Sequence, residues 1–109
     1  MRPKKRYIVF EVISEHPVKY GDLVSAFWSQ MLGFFGENEA SAAGIWFMQD
    51  HYSDKKQSGV VKCRHVAVEQ VRLALSLIQV AGESRAIARI RGVTGTLKSA
   101  ETKYLGDSE

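Results

Sequence analysis

An α+β fold, with two main helices on one face of a four-stranded antiparallel sheet, is what this sequence predicts. Three observations predict it. Runs of aromatic and β-branched residues alternate with runs whose apolar residues recur at helical spacing. Their order is strand, helix, strand, strand, helix, strand. Each helical run carries one apolar stripe, which covers one sheet face and leaves the other open.

The first strand is residues 6–13, RYIVFEVI. Alternation puts Ile8, Phe10 and Val12 on one face and Tyr7, Val9, Glu11 and Ile13 on the other. His16-Pro17 breaks the pattern. The first helix is residues 22–35, where Leu23, Val24, Phe27, Trp28, Met31, Leu32 and Phe35 form a broad stripe. Asp22 suits the positive N-terminal end, and Gly36 is a stop able to take the left-handed conformation. Residues 37–44 are a small-residue connection with room for one helical turn.

Residues 45–52 and 59–66 are the second and third strands, joined as a hairpin by the polar link 53–58. The second helix is residues 68–81, with Val71, Ala74, Leu75, Ile78 and Ala81 on one side and Gly82 at its end. The fourth strand is residues 84–92, and helical potential returns around 99–105. This order is the split βαβ, or ferredoxin-like, pattern, a topology that RNA-recognition motifs share.

Bulk properties agree with one domain spanning 1–109, with the basic residues 1–5 as a flexible arm and 106–109 as a tail. A hydrophobic fraction of 45% excludes a disordered chain. No apolar run is long enough for a membrane span, which needs roughly 18 residues. Tyr7 to Ile13 reads as a strand and not a signal peptide, because Glu11 interrupts it and no small-residue cleavage site follows. Cys63 is the one cysteine, so no internal disulfide forms, and a reducing cytoplasm is expected.

The formal charge is only +3, but its distribution is uneven. Four of the first six residues are basic: Arg2, Lys4, Lys5 and Arg6. If Val61, Cys63, Ala88 and Ile90 face the helices, then Lys62, Arg64, Arg89 and Arg91 face outward around Tyr7, with Glu11 pairing one of them. Guanidinium forks match phosphate oxygens, and a tyrosine ring stacks on a base. A solvated face, an RNA surface and a protein-docking surface all fit that pattern. The basic arm reads equally as a solubilising end. Gly92-Val93-Thr94-Gly95-Thr96 is either a structural turn or a phosphate-holding loop.

Catalytic constellations are weak. His16, His51 and His65 are scattered, and Cys63 with His65 falls short of the roughly four ligands of a structural zinc site. Asp50 and Asp54 look like turn residues, and no phosphate-loop, metalloprotease or nucleophile-elbow motif occurs. No catalytic residue, bound metal or cofactor is expected in this chain. The third strand, GVVKCRHV, lacks the stacking aromatics of an RNA-recognition motif, so recognition of RNA shape and backbone is expected over base reading.

Four segments resemble the archaeal ribonuclease P protein component 2 family: KKRYIVFEVISE (4–15), GVVKCRHV (59–66), VEQVRLALSLIQVAG (68–82) and GVTGTLKSAETKYL (92–105). The first and last are the most specific. One departure is Thr94, where the family's turn commonly has serine, and the hydroxyl chemistry is kept. The resemblance implies a ferredoxin-like fold with short extra helices. It implies a subunit of an RNA-based endoribonuclease that cleaves precursor tRNA, using magnesium held by the RNA. The partners it implies are the ribonuclease P RNA, with precursor tRNA met indirectly, and ribonuclease P protein component 3, with a heterotetramer of the two proteins as one assembly. The expected RNA contacts are then Lys4, Lys5, Arg6, Tyr7, Lys62, Arg64, Arg89, Arg91, Thr94, Thr96 and Lys98. The alternative is a protein-interaction scaffold that never touches RNA.

Overall fold

A computed structural model describes residues 4–105. At its centre lies strand β1, Lys5–Ser14. The run Ile8-Val9-Phe10 is fully buried, so β1 is covered on both faces. On one side β1 pairs antiparallel with β3, Ser58–Arg64, and on the other with β5, Ser84–Thr94. Two two-residue strands, β2 (Trp46–Phe47) and β4 (Val80–Ala81), complete the order β2-β3-β1-β5-β4. The described residues therefore form five antiparallel strands, where four were expected.

Helix α1, Tyr20–Ala42, buries Leu23, Phe27, Met31 and Ala40 against the sheet. It is broken at Gly36, whose φ of 84° and ψ of 171° are not helical. The glycine interrupts the helix as its type predicts, yet the chain resumes helix instead of leaving it. Helix α2, Val68–Ser76, buries Val71, Ala74 and Leu75. Beside them Phe47 meets Phe27 and Phe10 edge-to-face, with ring centroids 5.0 and 6.1 Å apart.

Two expected elements are shorter than their periodicity suggested. The second strand gives way to a 3₁₀ turn, Gln49–His51, after only Trp46 and Phe47 have paired with Lys62 and Val61. The second helix stops at Ser76, whose hydroxyl donates to Leu73 O at 2.7 Å. Ile78 still reaches the core, but Val80 and Ala81 turn back on Arg85 and Ser84 as a hairpin. Gly82, at φ 62°, supplies the left-handed residue that this two-residue loop requires.

The largest departure concerns the face expected to stay open. After β5, helix α3 (Leu97–Ala100) and one wide helical turn (Glu101–Leu105) fold over it. Leu97, Ala100 and Tyr104 pack there on Tyr7, Val9, Val60 and Met48 as a second, smaller core. Among the described residues, no helix is long and apolar enough to cross a membrane. The expected arm also shortens, because Lys5 already stands in β1 opposite Arg64. Residues 1–3 of the expected arm and the expected tail, 106–109, lie outside the described residues.

Candidate nucleic-acid interface

Register decides which basic residues share a surface. Residues directly opposite across an antiparallel pair point to the same face. Trp46, Lys62, Tyr7 and Thr94 thus form one row across β2, β3, β1 and β5 on the outer face. Arg64 and Lys5 stand in the next row. Arg6 does not join them. It pairs with the buried Cys63, so it belongs to the helix side, where its guanidinium donates to Lys5 O at 2.9 Å. Lys4 is exposed beside this end, held through its carbonyl by His65 N–H at 2.9 Å.

Arg64 is only partly available. Its side chain lies along Gly44 and donates to Ala42 O at 3.2 Å, at the negative C-terminal end of α1. A side chain at Gly44 would crowd that stem, whose Cγ comes within 3.0 Å of a notional Cβ. Lys62 is half-buried, and among the described residues no carboxylate pairs with it.

At the other end of the face, Arg89 and Arg91 flank one acid. Arg91 Nη1 donates to Glu11 Oε1 at 3.2 Å, and Arg89 Nε lies 3.5 Å from Glu11 Oε2. The expected pairing of Glu11 with one cation is a pairing with two. A register shift at Val9/Phe10 makes it possible. This bulge adds Arg91 between Ile90 and Gly92, so Arg89 and Arg91 both reach Glu11 while Val93 still packs on the helix-side core. Arg89 is 65% exposed and Arg91 39%, so Arg89 is open to solvent and Arg91 is partly so.

The glycine-threonine segment is mainly structural. Thr94 is buried, and its hydroxyl donates to Thr96 O at 2.8 Å. Thr96 Oγ1 accepts from Ser99 N–H at 3.1 Å and caps α3. Gly92 is small because Tyr104 lies on it: a Cβ there would fall 2.2 Å from the phenol oxygen. Thr96 and Lys98 are exposed, and with Ser99, Thr102 and Lys103 they line a shallow depression on α3. Tyr7 is half-buried under the same segment, which removes it as a stacking platform.

Sequence reading passed over two residues here. Trp46 is 64% exposed on the outer face beside Lys62. Its signal was the alternation of Ile45, Trp46 and Phe47, with the two flanking residues packed on the helix-side core. His51 is the other. Its Nε2 lies 2.7 Å from Glu101 Oε2 and ties the C-terminal turn to the edge of the sheet. That contact spans fifty residues, and no local pattern announces it.

Chemistry beyond charge is sparse. Among the described residues, no three His, Cys, Asp or Glu side chains gather as a metal site. Burial pushes the Cys63 thiol up to about 11, which keeps it protonated and inert. The outer face can hold anions on fixed cations and offer one indole ring.

Comparisons with known proteins bear on this geometry. Residues 6–105 match the Rpp14/Pop5 family. Ribonuclease P protein component 2 of Thermococcus gammatolerans is 35% identical over 98% of this chain and 88% of its own. The Pyrococcus abyssi protein of that name is 36% identical over 96% and 87%, and that of Methanosarcina mazei 33% over 98% and 89%. Among solved structures, a chain of yeast ribonuclease MRP, determined by cryo-electron microscopy, superposes with a TM-score of 0.67 at 10% identity. That match covers 89% of this chain and 78% of the yeast one, and is a likeness of fold.

Proposed function

Because this chain belongs to the Rpp14/Pop5 family, we propose that it is a protein subunit of ribonuclease P, the RNA-based endoribonuclease that frees the 5′ ends of tRNAs. The observation that carries the reading is near-full-length identity of about one third to several archaeal proteins named ribonuclease P protein component 2. Catalysis then belongs to the RNA and to magnesium that the RNA holds, with no catalytic residue supplied by this chain. The strand order β2-β3-β1-β5 is read as a ferredoxin-like sheet to which the small hairpin strand β4 has been added.

In this reading the outer face meets the RNA. Lys4, Lys5, Lys62 and Arg64 engage phosphates at one end, Arg89 and Arg91 at the other, and Lys98 with Thr96 from α3. Arg6 reaches the RNA only past the sheet's end. Thr94 and Tyr7 contribute by shaping the surface. The apolar patch of Ile13, Val80 and Ile87 lies just beyond Glu11 and Arg89 along the same strands, where Ile13 and Ile87 are direct neighbours and each of the three is about half exposed. It suits the protein partner, component 3, and a heterotetramer would repeat that contact. Such a subunit works in the cytoplasm and meets precursor tRNA through the RNA.

The test is cleavage of precursor tRNA by the cognate ribonuclease P RNA with component 3, at moderate magnesium, with and without this protein. Cleavage that depends on the protein is expected. No change, with folded protein and active RNA verified, overturns the assignment.

A further inference from the structure

We infer that Trp46 is a stacking site for an unpaired nucleobase, with Lys62 beside it to hold the adjoining phosphate. The inference rests on the RNA-facing reading of the outer face and sharpens it.

Three observations carry it. First, Trp46 is 64% exposed although an indole is among the largest apolar surfaces a chain can bury. Its two neighbours in sequence, Ile45 and Phe47, are drawn into the core, so β2 is anchored and the ring is displayed from a fixed backbone. Second, its surroundings are cationic. Lys62 stands directly opposite on β3, about 5 Å away between Cβ atoms. Arg64 and Lys5 occupy the next row, about two residues along the strands. Third, the outer face is covered by α3 around Val9 and Val60, and Trp46 lies at the uncovered edge of the same row as Tyr7. A base can therefore approach Trp46 from solvent without displacing anything.

Charge selects the occupant. An apolar protein surface would leave Lys62 desolvated and without a counter-charge, whereas a nucleotide brings a π-face for the indole and an anion for the ammonium. A paired base cannot offer its face, so the site takes single-stranded RNA: a bulge, a loop or a joining strand.

The chain has two tryptophans, which makes the test direct. Trp28 is half-buried against Phe27, and Trp28→Phe leaves Trp46 as the sole indole. This full-length variant is titrated with a single-stranded 12-mer of oligoadenylate and with a 12-base-pair RNA duplex. Binding is followed by anisotropy of end-labelled RNA, and stacking by quenching of the indole emission. Saturable quenching by the single strand is expected, with little by the duplex. Trp46→Ala should weaken single-strand binding by about tenfold or more, Trp46→Phe should restore most of it, and duplex affinity should move less than about twofold.

Salt-sensitive binding of the single strand with unquenched Trp46 overturns the stacking site and leaves the RNA-facing surface standing. Failure of both RNAs to bind overturns both. Unchanged RNA affinity in Trp46→Ala, with lost association to component 3, makes the indole a protein contact and also overturns it.

Discussion

The two faces of the sheet are held by different physics. On the helix side, α1 and α2 have no side-chain bond at their N-caps, and burial of Phe10, Phe27, Met31, Val71 and Leu75 keeps them in place. On the outer side, α3 is four residues long and covers a cluster in which, among the described residues, only Val9, Val60 and Ala100 are fully enclosed. So small an area cannot hold a helix, and the cover depends on particular contacts: the Thr96 cap, the His51–Glu101 pair and Tyr104 seated on Gly92. A face held by area tolerates conservative change. A face held at points fails one residue at a time.

The sharpest way to break the helix side is Phe27→Ala. Phe27 is fully buried and touches the rings of Trp28 and Phe47. A loss of about 3–5 kcal/mol is expected in urea denaturation. A loss below about 1 kcal/mol would mean that α1 is not anchored where the structure puts it.

The rim of the outer face is tested through charge. Arg89→Gln with Arg91→Gln should lower RNA affinity by tens of fold near 0.1 M salt and reduce the salt slope by about 2. Circular dichroism should be unchanged, since neither side chain is part of the buried core. Glu11→Gln makes the opposite prediction: it removes the acid that both arginines share, and affinity should rise. If neither substitution moves affinity, this end of the face does not meet RNA.

Gly92→Ala attacks the cover. The added methyl would overlap the Tyr104 ring, whose Cζ lies 2.3 Å from a notional Cβ, and a cost of about 1–3 kcal/mol is expected. In a Tyr104→Ala background the same change should cost nothing, and such a double-mutant cycle isolates the contact. Equal cost in both backgrounds would place the strain in the bulge instead.

Cys63 probes the helix side by pH. Burial raises its thiol from 9.0 to about 11, so folding favours the protonated form. That stability is full below the ordinary thiol value and is lost as pH rises from about 9 toward 11. Burial also raises Tyr20 and Tyr52, which adds to the loss at alkaline pH. Denaturation midpoints should fall across that window, less steeply in Cys63→Ala. A disulfide reagent at pH 8 should react only with unfolded protein.

These effects mirror what the sequence disclosed. The helix-side face was legible because Leu23, Phe27 and Met31, or Val71, Ala74 and Leu75, repeat with the period of the element that buries them. Phase also assigned Lys62, Arg64, Arg89 and Arg91 to the outer face. Alternation does not contain the bulge that follows Ile90, so the return of Val93 to the helix side came only with the register. Lys4, Lys5 and Arg6 looked equivalent as a basic run, yet Lys5 and Arg6 point to opposite faces once β1 begins at Lys5. The cover was hidden because Leu97, Ala100 and Tyr104 meet Val9 and Val60, residues far away in the chain. Helical potential was visible at its end; its destination was not.

The smallest effect is the most local. Thr96→Ala removes the oxygen that accepts the Ser99 N–H and leaves the first turn of α3 uncapped. A loss of about 1 kcal/mol is expected, with Thr96→Ser close to wild type. The Thr94 hydroxyl bond to Thr96 O survives, because it uses the backbone carbonyl. Damage should therefore stay in the cover, and amide exchange is the measurement that shows it. Ser99 and Ala100 should exchange faster, while Val71 and Leu75 on the helix side keep their protection. Uniform acceleration would mean that the two faces open together, and the division into a face held by area and a face held at points would fail.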